Sequence, residues 1–317
     1  MTTDVGTILG ISNPDDRSWH IATAIATKQL RVPTHVWQVF RAAWSGSCEP
    51  RDLVRVLGFS RLNPPCLLDA AELNNVPPPS ETGVVEHAIH TLGIRFSAVV
   101  LAVNLANRCV LSAKPGRRWQ PLFQDMMTNI EIGYKLGTRA YELGIEGGAL
   151  VGFATKIGEA FLMIHDPKAY KEWSLLSRNG EYSDQEIEHE LFGCESYQVT
   201  AIILQNLGFG TEVAIGIACG AGRLDPGHIS ISQEAIMWKA AYLWIEALRA
   251  ARNYPADPRM RQVFPELIPS ANGNTQGKNM ALGVLHTEVA RVRQEGSRWT
   301  WHLPKPSYED TSSYLGI

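Results

Sequence analysis

Residues 150–166 read Leu-Val-Gly-Phe-Ala-Thr-Lys-Ile-Gly-Glu-Ala-Phe-Leu-Met-Ile-His-Asp, and Pro167 follows. Leu150, Phe153, Ala154, Ile157, Ala160, Phe161 and Ile164 fall at intervals of three and four, which is the stripe of a helix that buries one face. The strength of that stripe predicts a central helix. Asp166 before Pro167 then has the form of an N-cap followed by proline at the first helical position, so a second helix is expected to start there. His165-Asp166 is the one literal His-Asp dipeptide near this helix, and the capping role is sufficient for its aspartate.

Working outward, Ser183 and Glu186 have capping-box spacing and predict another helix start. Further helices are expected near 196–207, 211–219, 233–252 and 278–293. On the N-terminal side, Val85, Ala88, Ile89 and Leu92 mark a short amphipathic helix closed by Gly93, and a second runs from about Arg95 to Cys109. Few segments alternate as a half-buried strand does, so the expected fold class is all-α. Breakers cluster at 63–65, 74–80, 114–116, 253–258 and 269–277. They suggest two helical lobes, 1–115 and 116–295, followed by an extended arm at 296–317 that carries Trp299, Trp301, Tyr308 and Tyr314. Four large aromatics left in water would form an adhesive patch, so the arm is expected to dock on the second lobe or a neighbouring subunit.

The composition narrows the function classes. The 317-residue chain is 45% hydrophobic and 19% charged, as an ordered globular protein is. Its formal charge of −3 is spread without a basic stripe, which disfavours nucleic acid as a partner. Five cysteines without a CxxC pair define neither a disulfide framework nor a zinc ribbon, and reduced thiols fit a cytoplasmic setting. The N-terminus lacks the basic start and apolar core of an export signal. The most apolar stretch, Phe96 to Ala106, falls short of the roughly 20 residues a spanning helix needs, so no membrane segment is expected.

The order of elements from about Leu30 to Arg252 resembles the HDOD family, bacterial output domains related to HD phosphohydrolases. Ala88-Ile89-His90-Thr91-Leu92-Gly93 is similar to its "Ai..LG" element, and Leu150 to Gly158 is similar to its "GLLHDIG" helix. Phe192-Gly193-Cys194-Glu195-Ser196 with Val199 resembles "FG.DH..VG". The resemblance implies an HD-like second lobe. HD hydrolases hold a divalent metal through imidazole and carboxylate lone pairs, and the metal activates water. Here the His-Asp pair of the helix is Thr155-Lys156, and the Asp-His pair of the later signature is Glu195-Ser196. Cys219-Gly220 stands where relatives often carry paired histidines. A protonated lysine has no lone pair to offer a metal.

The resemblance therefore implies a non-catalytic signalling or regulatory protein that needs no cofactor and binds a protein partner or a small signalling ligand. A homo-oligomer is left open. The old metal cleft is expected to persist as a pocket near Thr155, Lys156, Glu195, Ser196 and Cys219, with Lys156 facing Glu195. The alternatives are a residual metal-dependent phosphohydrolase on a nucleotide or cyclic dinucleotide, and a nucleic-acid-binding regulator. Other motifs add nothing: HExxH, GxSxG and Walker loops are missing, and Gly208-Phe209-Gly210 reads as an inter-helix turn. His189 among Glu186, Glu188 and Glu190 reads as an acidic helix start favoured by the dipole.

Overall fold

The structure, a computed structural model, describes residues 16–59, 64–72, 83–180, 183–222, 231–268 and 276–301, and the side chains of 58, 59 and 276–280 are likewise outside the description. Among the described residues the fold is all-α, with no strand. The N-terminal helices are α1 (Arg17–Gln29), α2 (Thr34–Ser45), α3 (Pro50–Phe59), α4 (Pro65–Ala70), α5 (Val84–Leu92) and α6 (Ile94–Ser112). There follow α7 (Trp119–Gly137), α8 (Gly144–His165), α9 (Pro167–Asn179), α10 (Asp184–Phe192) and α11 (Ser196–Asn206). The chain continues through α12 (Thr211–Ala221), α13 (Gln233–Arg249), α14 (Pro258–Gln262) and α15 (Gln276–Glu295).

The local signals act as their chemistry requires. Asp166 caps α9 by accepting from the N–H groups of Lys168 and Ala169, both at 2.9 Å, so His165-Asp166 is a helix junction. Ser183 and Glu186 close a capping box on α10. Gly93, at φ 80°, ends α5 and passes the chain into α6.

Among the helices that the sequence reading missed, with α1 and α4, is α7, which forms with α8 the most intimate helix pair among the described residues. Glycines make this approach possible. A Cβ on Gly133 would lie 2.0 Å from the Gly148 carbonyl oxygen, one on Gly148 would lie 1.9 Å from that of Gly133, and one on Gly152 would lie 2.2 Å from that of Asn129. The backbones therefore touch where side chains would ordinarily hold them apart.

A single core runs from Trp19 to Trp301. The expected lobe boundary at 113–120 does not interrupt it, because α1 packs on α11 and α8. Gln198 Nε2 donates to Ser18 Oγ at 2.7 Å, and Trp37 Nε1 donates to the Gln205 carbonyl at 3.1 Å. The apolar stretch around Phe96 is longer than expected: α6 and α8, at 19 and 22 residues, are long and apolar enough to span a membrane, but 67% and 78% of those windows are buried in this core.

The described part of the C-terminal arm docks against both halves. Trp301, 2% exposed, stacks on Trp299 and meets Phe96 of α6 edge-on, while Trp299 meets Tyr134 of α7. Thr300 donates to Asp69 at 2.8 Å and Ser297 donates to the buried Glu131 at 2.7 Å. Tyr308 and Tyr314 lie outside the described residues.

Candidate functional site

The middle of α8, the first turns of α10 and α11 and the last turns of α13 converge on a cavity of about 310 Å³, with Trp173 of α9 as a further wall. The floor is set by another close approach. A Cβ on Gly158 of α8 would lie 1.9 Å from the Ser196 carbonyl oxygen, and Thr200 Oγ1 accepts from the Gly158 N–H at 3.1 Å and donates to the Ala154 carbonyl at 3.3 Å.

Thr155, Lys156 and Ser196 line this cavity, as do Glu159, Asp184, Glu188, Tyr197, Tyr242, Glu246 and Arg249. Thr155 Oγ1 accepts from Asn129 Nδ2 at 2.8 Å and donates to the Gly152 carbonyl at 2.7 Å, which ties α8 to α7. Lys156 Nζ donates to Glu159 Oε2 at 2.7 Å, and Tyr170 donates to the other oxygen of that carboxylate at 2.8 Å. Burial first, then the Glu159 charge, pushes the Tyr170 hydroxyl well above the usual phenol range.

Two expected members of the pocket stand elsewhere, and the pairing of Lys156 with Glu195 is corrected. Glu195 is the non-helical residue before α11, with φ −106° and ψ 151°, and its backbone N–H is held by Gln198 Oε1 at 2.9 Å. That conformation turns its carboxylate toward His189, 3.9 Å away, rather than toward Lys156. On α12 the cavity is met by Ile217 and Ala221, one turn apart. Cys219, between them in sequence, points to another side of the helix because each residue advances about 100°. Burial raises its thiol pKa.

Sequence reading missed Glu159, Glu188, Tyr242, Glu246 and Arg249. Signals existed: Glu159 is three residues after Lys156 on one helix face, and Asp184 and Glu188 share a face at i, i+4. Glu188 is only 4% exposed and its Oε2 accepts the Ser196 N–H at 2.7 Å, satisfying one of the donors at the start of α11. Burial pushes its carboxyl up to about 7, against the lowering effect of the Ser196 hydrogen bonds.

The described donors do not fit a divalent metal. Lys156, an ammonium with no lone pair, projects among the carboxylates and has closed on Glu159. Among the described residues no group of three or more His, Cys, Asp or Glu side chains could hold a metal ion.

No family model matches the sequence, and no curated protein matches it. The fold is similar to the crystal structure of a "Putative phosphohydrolase" from Shewanella amazonensis SB2B, with a TM-score of 0.53 and 16% identity over 86% of this chain and 94% of that one. At this identity the likeness shows the fold: an all-α scaffold shared with that protein along most of both chains.

Proposed function

We propose that the chain is a non-catalytic regulatory protein of HDOD type, acting through a protein partner or a small signalling ligand. The observation that carries this reading is the Lys156–Glu159 pair at 2.7 Å, on the helix where the resemblance puts a metal-binding His-Asp pair. A cation is supplied there by the protein itself. The expected result of elemental analysis on the purified chain is far less than one transition-metal ion per chain, with no metal-dependent phosphodiesterase turnover. About one metal per chain, lost on mutation around Thr155, would overturn the reading.

One observation favours a residual phosphohydrolase: four carboxylates, Glu159, Asp184, Glu188 and Glu246, line the cavity. Metal-dependent turnover abolished by Glu159→Gln and Glu188→Gln would establish that alternative.

A further inference from the structure

Both described cations of the cavity wall are paired with wall carboxylates. Lys156 closes on Glu159 at 2.7 Å, Arg249 lies 3.4 Å from Glu246, and Asp184 accepts a hydrogen bond from Ser177. Asp184 is exposed to solvent, whereas Glu188 is buried. Glu188 lines the cavity at 4% exposure, and among the described residues its hydrogen bonds come from Ser196 and no cation pairs with it. A buried carboxylate without a countercharge is costly, and this one is left facing a space rather than packed side chains. Burial has raised its proton affinity accordingly.

The remaining lining is aromatic and hydroxylic. Trp173, Tyr197 and Tyr242 contribute to the walls, and the buried Trp173 indole N–H has no partner among the described residues. Aromatic faces attract cations, and an ammonium beside a carboxylate in such a setting gains from both. Four carboxylates against the two cations Lys156 and Arg249, each of which already has an acidic partner, make the same space unfavourable for an anion. Its volume of about 310 Å³ is at the small end of ligand pockets.

We propose that this cavity binds a small organic amine, with Glu188 holding the ammonium group and the aromatic walls enclosing its carbon skeleton. The proposal rests on the small-ligand form of the function proposed above. The ligand brings the countercharge that the described residues do not supply to Glu188.

The test is calorimetric titration of the full chain at pH 8 with 1,4-diaminobutane and 2-phenylethylamine, each beside its isosteric alcohol, and with inorganic phosphate. At least one amine is expected to bind one per chain, with its alcohol and phosphate weaker by about tenfold or more, the size of one charge-assisted hydrogen bond. Glu188→Gln keeps an acceptor for the Ser196 N–H and is expected to lower amine affinity by about tenfold or more. The exposed Glu190→Gln on the same helix should leave that affinity unchanged and so controls for general surface charge. Thermal melts of both variants establish that they are folded. The proposal is overturned if neither amine binds, if the alcohols bind as well as the amines, or if Glu188→Gln binds like wild type. Preferential phosphate binding would overturn the amine while leaving a small-ligand protein. Metal-dependent hydrolysis would instead remove the underlying functional reading.

Discussion

Replacing Gly148 by alanine adds one methyl group, and the structure indicates a cost far larger than that change suggests. The new Cβ would sit 1.9 Å from the Gly133 carbonyl oxygen and 3.1 Å from the Gly137 nitrogen, whereas ordinary contact begins near 3.4 Å. Since both obstacles are backbone, no side chain can swing aside, and α7 and α8 must part by about 1.5 Å. The Asn129–Thr155 hydrogen bond on the same seam, now 2.8 Å, would then exceed hydrogen-bonding range. Overpacking costs about 1–3 kcal/mol and a stranded buried amide costs about 1–3 kcal/mol, so the expected loss is about 2–6 kcal/mol. For a chain of this size that is a fall in Tm of roughly 3–9 °C. Gly283→Ala, inside α15 with nothing within 4 Å of the added methyl, serves as the opposing control. It is expected to gain about 0.5–1 kcal/mol from helix propensity and reduced unfolded-state entropy. Denaturant unfolding of the two variants decides the matter. A Gly148→Ala loss below about 1 kcal/mol would refute the backbone-contact argument.

Three further outcomes are expected. The Glu188 carboxyl stands at about 7 in the fold against 4.5 unfolded, so the folded state holds the extra proton between those values. Stability from this group is therefore greatest below pH 4.5, falls as pH rises toward 7 and is flat above. Glu188→Gln should flatten that slope and be more stable than wild type at pH 8 by about 1–3 kcal/mol; a Tm profile unchanged from wild type would show that the group is not buried as described. Lys156→Met leaves Glu159, 13% exposed, with only the Tyr170 hydroxyl, and should cost about 1–3 kcal/mol in chemical denaturation, whereas unaltered stability would mean that the pair is not structural. Trp301→Ala removes a side chain 2% exposed from against Phe96 and Trp299, and should cost about 3–5 kcal/mol with faster hydrogen exchange in α6; a free arm would show neither.

The sequence was legible wherever a local rule decides the outcome. Asp166-Pro167, Ser183 with Glu186, and the stripe from Leu150 to Ile164 each report on their own few residues, and each marks an element correctly. Helix α7 was missed although Leu122, Met126, Ile130 and Leu136 are buried along it, because Gly133 and Gly137 interrupt that stripe. Gly133 and Gly137, facing Gly148 and Gly144, bury backbone where a hydrophobicity pattern looks for side chains. The matching four-residue spacing of glycines in the two segments was the available sign. The candidate site was legible only where it lies on α8 and at the first residue of α11. Glu195 was misplaced because its neighbour Ser196 begins the helix while Glu195 itself remains extended, a difference of one residue that reverses a side chain's direction. Glu188 and Tyr242 reach the cavity from helices whose arrangement no local pattern specifies.

The contact of Gly158 with Ser196 separates what can vary in this molecule from what cannot. Thr155 and Lys156 line the cavity with side chains bonded to Asn129 and Glu159, and exchanging them gives up those bonds and alters what the cavity prefers without forcing backbones apart. Gly152 and Gly158, on the same helix, admit no such exchange, since any side chain there would strike the backbone of a neighbouring helix. The helix thus behaves as a ruler with interchangeable markings: the spacing between the site's two main segments is fixed by atoms that take no part in recognition. A scaffold built this way can abandon one chemistry and acquire another by point changes, with its geometry carried forward intact.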